Sequence, residues 1–133
     1  MSFRPLFLLV LISLLTGCAA DPTLTIEFCE SLNTNDQCPT DRDQFNLGDR
    51  VYVRFSSDIP FETTKITGRI FRLDSEKKQE LGEKEFELEP GTTYVTQNIP
   101  FHEFGMGALG TFSIEFSDES GHVMAKREVT ITH

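Results

Sequence analysis

No tryptophan occurs in the 133 residues, tyrosine occurs twice and histidine three times. Lysine and arginine together number 12 against 21 aspartates and glutamates, a formal net charge of -9. Phosphate-backbone binding depends on clustered cations, so this deficit argues against a nucleic-acid partner. Long apolar runs are also missing: the longest, Leu6 to Leu15, is broken only by Ser13. Ten residues are too few to cross a bilayer core of about 30 Å as a helix. The three histidines, His102, His122 and His133, stand in no nucleophile elbow, and the chain has no glycine-rich phosphate loop and no CxxC pair. The chain is nevertheless not a disordered one. Hydrophobic residues make up 38% and 12 phenylalanines are present, enough for one modest core.

The N-terminus reads MSFRPLFLLVLISLLTGC, with Arg4 ahead of the apolar run and Leu15-Thr16-Gly17-Cys18 closing it. These proportions are those of a signal-peptide h-region. The segment resembles the precursors of bacterial lipoproteins, whose lipobox ends in a small residue followed by cysteine. The resemblance covers positions 1–18. It implies a signal peptide over 1–17, cleavage after Gly17, lipidation of Cys18, a short tether over 18–22 and a domain over 23–133. Ala19 after the cysteine, rather than Asp, resembles the pattern sorted to the outer membrane. The expected membrane contact is then through the N-terminal lipid, because one acyl chain holds weakly and two or three hold stably. Loss of Arg4 takes the balance to 11 cations and 21 anions, or -10. Such a domain is repelled by anionic lipid surfaces.

With Cys18 assigned to lipid, Cys29 and Cys38 remain as a pair nine positions apart. In an oxidising compartment they are expected to form a disulfide, worth about 2.5–3 kcal/mol on the chain-entropy model. Asn33, Asn35, Asp36, Asp41 and Asp43 are the possible oxygen ligands for a calcium ion, but they lack the glycine-centred spacing of an EF-hand. No metal and no cofactor is therefore expected.

From Asp21 onward the pattern has a period of two. Leu24-Ile26-Phe28, Val51-Val53-Phe55, Ile66-Gly68-Ile70 and Phe112-Ile114-Phe116 each line one face of an extended segment. Further segments are predicted at Glu83–Glu89, Thr92–Ile99 and Val123–Thr132, with turns at 45–49, 74–79, 90–91 and 117–121. About seven short strands predict an all-β, antiparallel β-sandwich. Two stretches, Phe45-x-x-Gly48-Asp49-x-Val51-Tyr52-Val53 and Gly110-Thr111-Phe112-Ser113-Ile114-Glu115-Phe116 before a Gly121 hairpin, resemble immunoglobulin-like modules of bacterial surface proteins. The tryptophan and cross-sheet disulfide of antibody domains are absent. The Glu83, Glu85, Glu87 and Glu89 row reads as a solvated strand face that discourages edge-to-edge pairing, or as a patch for a basic partner.

No catalytic residues emerge. The connection 100–110 is apolar for a loop, and Phe101, His102, Phe104, Met106 and Leu109 in it form the candidate binding loop. Its apolar side chains either cap one end of the sandwich or stay exposed as a contact patch. The expected function is a non-enzymatic interaction or assembly module that meets a protein of the cell envelope. The alternative is an inhibitor of a hydrolase such as a lysozyme or a protease, with the 100–110 loop as its wedge.

Overall fold

Where apolar and polar residues alternate, the backbone is extended, and the computed structural model contains two β-sheets packed face to face. It describes residues 21–73 and 77–133, with the side chains of 105–108 set aside. The apolar N-terminal run, Cys18 and the start of the tether lie outside the described residues, as do Asp74, Ser75 and Glu76.

Eight strands follow in order: β1 (Leu24–Cys29), β2 (Gln44–Asn46), β3 (Val51–Ser57), β4 (Lys65–Leu73), β5 (Lys78–Glu87), β6 (Tyr94–Ile99), β7 (Gly110–Ser117) and β8 (Val123–Thr132). One sheet has the order β1-β3-β6 and the other β2-β8-β7-β4-β5. This is the strand order of an immunoglobulin-like sandwich in which β5 extends the larger sheet and, among the described residues, no strand lies beyond β6.

The count is eight rather than about seven, and one pairing is parallel. Gln44–Asn46 has the composition of a turn, yet Phe45 is 2% exposed and pins these three residues beside β8. Two main-chain bonds extend that parallel contact, from Thr130 N to the Asp43 carbonyl and from Leu47 N to the Thr132 carbonyl. β5 also starts earlier than its alternation predicts, at Lys78, because a bulge at Leu81 shifts the register between Ile70 and Phe71 and resets the face. The connection after β6 is a 3-10 segment, Phe101–Ala108, rather than a plain loop. Its two glycines and proline-led start carry no helical period.

Phe28, Phe55, Phe112, Phe116, Ile66, Val51 and Val129 are fully buried between the sheets. Phe55 and Phe116 stack across them with ring centroids 4.5 Å apart. Gly68 makes this stack possible, since a Cβ there would stand 3.0 Å from Phe116 Cε1.

The two open sides of the sandwich are finished differently. On the β1 side, Asp41 Oδ1 accepts from Phe28 N (3.0 Å), and Arg42 N donates to the Phe28 carbonyl (2.9 Å). Arg127 reaches across from β8 to donate to the Ile26 carbonyl and to Asp41, each at 2.7 Å, with its guanidinium 5.1 Å from the Phe28 ring centre. That edge is chemically satisfied. On the far side, no described residue pairs with the outer edge of β5 or of β6.

Candidate functional site

A groove of about 260 Å³ lies between the unpaired β5 and β6 edges. Phe86, Ile99, Phe104, Phe116, Gln97 and Gly82 are among the residues lining it. Alternation explains the apolar floor. Gly82, Lys84 and Phe86 on β5 oppose Ile70, Gly68 and Ile66 on β4, all on the inner face. Two glycines at that level thin the wall, and Gly82 leaves the greater space: a Cβ there would meet only Ile70 Cγ2 within 4 Å, at 3.8 Å.

The outer face of the same strands is charged. Glu83, Glu85 and Glu87 stand opposite Arg69, Thr67 and Lys65. Arg69 Nε lies 3.2 Å from Glu80 and 3.3 Å from Glu83, and Lys65 lies 3.7 Å from Glu85. Glu83 and Glu85 remain 54% and 60% exposed, so these ion pairs contribute little to stability but hold a negative rim in place. Nearer the centre of the sheet, Glu115 is buried at 7% exposure and is compensated by the Lys78 ammonium, which lies 4.2 Å above the Phe71 ring. Lys78 Nζ meets Glu115 at Oε2, so the one buried carboxylate among the described residues of this face is paired with a cation.

Cys29 and Cys38 are bonded, with Cα atoms 5.6 Å apart. Cys29 points outward from β1 yet is 2% exposed, because the disulfide loop folds back over the outer face of the three-stranded sheet. Asp36, with φ of 57°, anchors the loop. Its carbonyl accepts from Arg54 Nε at 2.9 Å and its carboxylate from the Tyr94 hydroxyl at 3.0 Å. That hydrogen bond first, then the Asp36 charge and burial, push the Tyr94 hydroxyl above its ordinary pKa, while Arg54 pulls the other way.

The possible oxygen ligands are dispersed by these contacts. Asp36 serves Tyr94, Asp41 serves Arg127, and the Asn33 side-chain oxygen Oδ1 takes the amides of Asn35 and Gln37. Among the described residues no three His, Cys, Asp or Glu side chains converge as metal ligands.

Within the candidate binding loop the structure separates the residues. Phe101 is 4% exposed and packs on Phe112 at 5.0 Å and edge-on to Phe104 at 6.0 Å. It is a cap of the core. His102 is exposed, Phe104 is half-buried in the groove wall, and Leu109 packs against the core while its carbonyl accepts from Arg72. Met106 falls in the 3-10 segment, with its side chain outside the described residues. The sequence pattern therefore found one groove residue, Phe104, and missed Gly82, Phe86, Gln97 and Ile99. A glycine inside a strand pattern was the available signal, since it marks a bulge or a close approach.

His122 is a turn residue. Its amide and that of Ser120 donate to Asp118 Oδ1, both at 3.0 Å, and the Ser120 hydroxyl donates at 2.7 Å. The Ser120 hydroxyl above all, with the His122 and Ser120 amides and the His122 charge, holds the Asp118 carboxyl below the usual carboxylate range against the cost of burial. A depressed carboxylate contributes above its unfolded pKa and is lost as pH falls through the folded value. The Ser120 and His122 amide NMR shifts should therefore report a transition whose midpoint lies below the ordinary aspartate pKa, about 3.9. In Asp118→Asn the acid transition should vanish.

Three loops share the end where residue 21 enters. Thr23 N and the Asp58 carboxylate bond at 2.8 Å, and Glu119 accepts from Thr64 N at 3.4 Å, joining the 57–64 and 117–122 loops. The antiparallel registers put the disulfide loop's base, the 3-10 segment and residue 133 at the opposite end. No protein-family model and no curated protein matches the chain.

Proposed function

We propose that the chain is a lipid-anchored lipoprotein of the cell envelope, held at the outer membrane through Cys18, whose sandwich is a non-enzymatic module that binds another envelope protein. The observation that carries the binding role is the apolar groove between two unpaired strand edges. Exposed edges template the addition of another chain, and this one has an apolar pocket beside it. The lipobox Leu15-Thr16-Gly17-Cys18 supports the anchor, and a bonded Cys29–Cys38 pair is in keeping with an oxidising compartment. With the tether at one end, the sides and far end of the domain are left to a partner. The net charge favours protein over nucleic acid.

The inhibitor alternative needs a projecting apolar wedge at 100–110, and Phe101 and Phe104 turn inward instead, so no observation favours it.

The test places a photo-crosslinking residue at 85, 102 or 119 of the full-length protein in intact cells. Ultraviolet light is expected to link position 85 to one envelope protein and to leave position 119 unlinked. Palmitate labelling is expected in the unchanged protein and absent from Cys18→Ala. A protein that crosslinks nowhere, or labels equally without Cys18, would rule this reading out.

A further inference from the structure

We propose that the β5 edge takes one extended segment of a basic partner protein, with apolar side chains entering the groove and cationic ones lying along the glutamate row. This rests on the interaction-module reading and names the chemistry of its partner.

The geometry begins with the bulge. Beyond Leu81, β5 runs in regular register from Gly82 to Glu87 against Ile70 to Lys65. A strand added to its free edge must continue the pleat. Its inward side chains then lie beside Gly82, Lys84 and Phe86, above Ile99 and Phe104, and its outward ones beside Glu83, Glu85 and Glu87. Directly opposed side chains in such a pair sit about 5 Å apart, close enough for each cation to meet one glutamate.

Space and charge select the occupant. Gly82 leaves room for an incoming apolar side chain and has no positive φ. From 77 to 89 five glutamates face three lysines in a chain of net charge -9. That row repels a second copy of the same edge and attracts a basic one. Lys84, on the inner side at the groove wall, repels cations from the inward positions. The alternation is thereby fixed in register, since a slip by one residue would set cations against Lys84 and apolar groups against the glutamates.

The test titrates the purified full-length protein with three fluorescent heptapeptides, alternating lysine with valine, glutamate with valine, and lysine with serine. The lysine–valine peptide is expected to bind about tenfold tighter than either other peptide, and to weaken with salt. Gly82→Leu, which fills the groove from within, should weaken it about tenfold while the melting temperature holds or rises. If Gly82→Leu does not fold, the pair Glu83→Lys and Glu85→Lys decides instead: preference should switch to the glutamate–valine peptide. Equal binding of the lysine–serine peptide, or unchanged binding to folded Gly82→Leu, overturns the proposal. Crosslinks in cells from position 102 alone would overturn the β5 edge and leave the module standing. No crosslinks, with the peptide preferences intact, would overturn the module and leave the groove's chemistry.

Discussion

Phe116→Ala is expected to lower the unfolding free energy by about 3–5 kcal/mol, among the largest effects of any single truncation in this core. Phe116 is 2% exposed, stacks on Phe55 at 4.5 Å, meets Phe86 at 6.5 Å and fills the space left by Gly68. Truncation removes both the transfer free energy of the ring and its cross-sheet contacts. The cavity cannot close easily, because Phe55 on one side and the β4 backbone at Gly68 on the other are each held by their own ladders. Domains of this size have about 5–15 kcal/mol in total, so the variant should be partly unfolded at 37 °C. Urea unfolding should show a lower midpoint with an unchanged slope. A loss below about 1.5 kcal/mol would mean that the sheets collapse onto the gap, and the packing described for Gly68 would be wrong.

The second large effect concerns the disulfide. Replacing Cys29 and Cys38 together by serine, or reducing them, is expected to cost about 2.5–3 kcal/mol. The figure follows from the nine-residue separation. A second readout separates this from a general weakening. The bonded loop brings Asp36 to Tyr94, and that contact raises the pKa of the phenol. A raised phenol contributes to stability below its unfolded pKa, about 10, and the contribution is lost as pH rises through the folded value. Without the disulfide, the Tyr94 titration followed by ultraviolet absorbance should move down toward the ordinary value. If stability falls and Tyr94 does not move, the loop stays on the sheet without its covalent pin.

Most of the sandwich is legible from alternation alone. Val51, Val53 and Phe55, or Phe112, Ile114 and Phe116, need no partner to reveal which face they bury, because a period of two is a local property. The Cys29–Cys38 pairing was legible by elimination, since assigning Cys18 to lipid leaves just these two cysteines. The departures all depend on what a segment packs against, which local alternation does not record. β2 is a strand because Phe45 finds β8, some 86 residues later, and nothing in Gln44–Asn46 announces this. The bulge at Leu81 follows from fitting β5 to β4. Phe101 and His102 are neighbours in an apolar connection, yet one is core and the other is exposed, a difference set by where Phe112 stands.

The groove was the least legible feature. It exists because no described strand lies beyond β6, and a sequence pattern records segments that are present. Gly82 was visible as an interruption in a glutamate-rich run, and the Glu83, Glu85 and Glu87 row was visible as one face. That both border the same apolar opening becomes evident only when β6 is placed across from β5.

The short parallel contact between β2 and β8 has a mechanical consequence. Residue 21 enters at one end of the sandwich and residue 133 leaves at the other. A pull between these points runs along the strands, so the β1–β3 ladder and, beyond it, the Leu47–Thr132 and Thr130–Asp43 hydrogen bonds are loaded in shear, each set giving way together. Peeling them one by one is not available to such a load. The closed disulfide, meanwhile, withholds the residues between Cys29 and Cys38 from the extension. After β1 is drawn off β3, such a pull would still be resisted by three residues of strand that stability alone would scarcely notice.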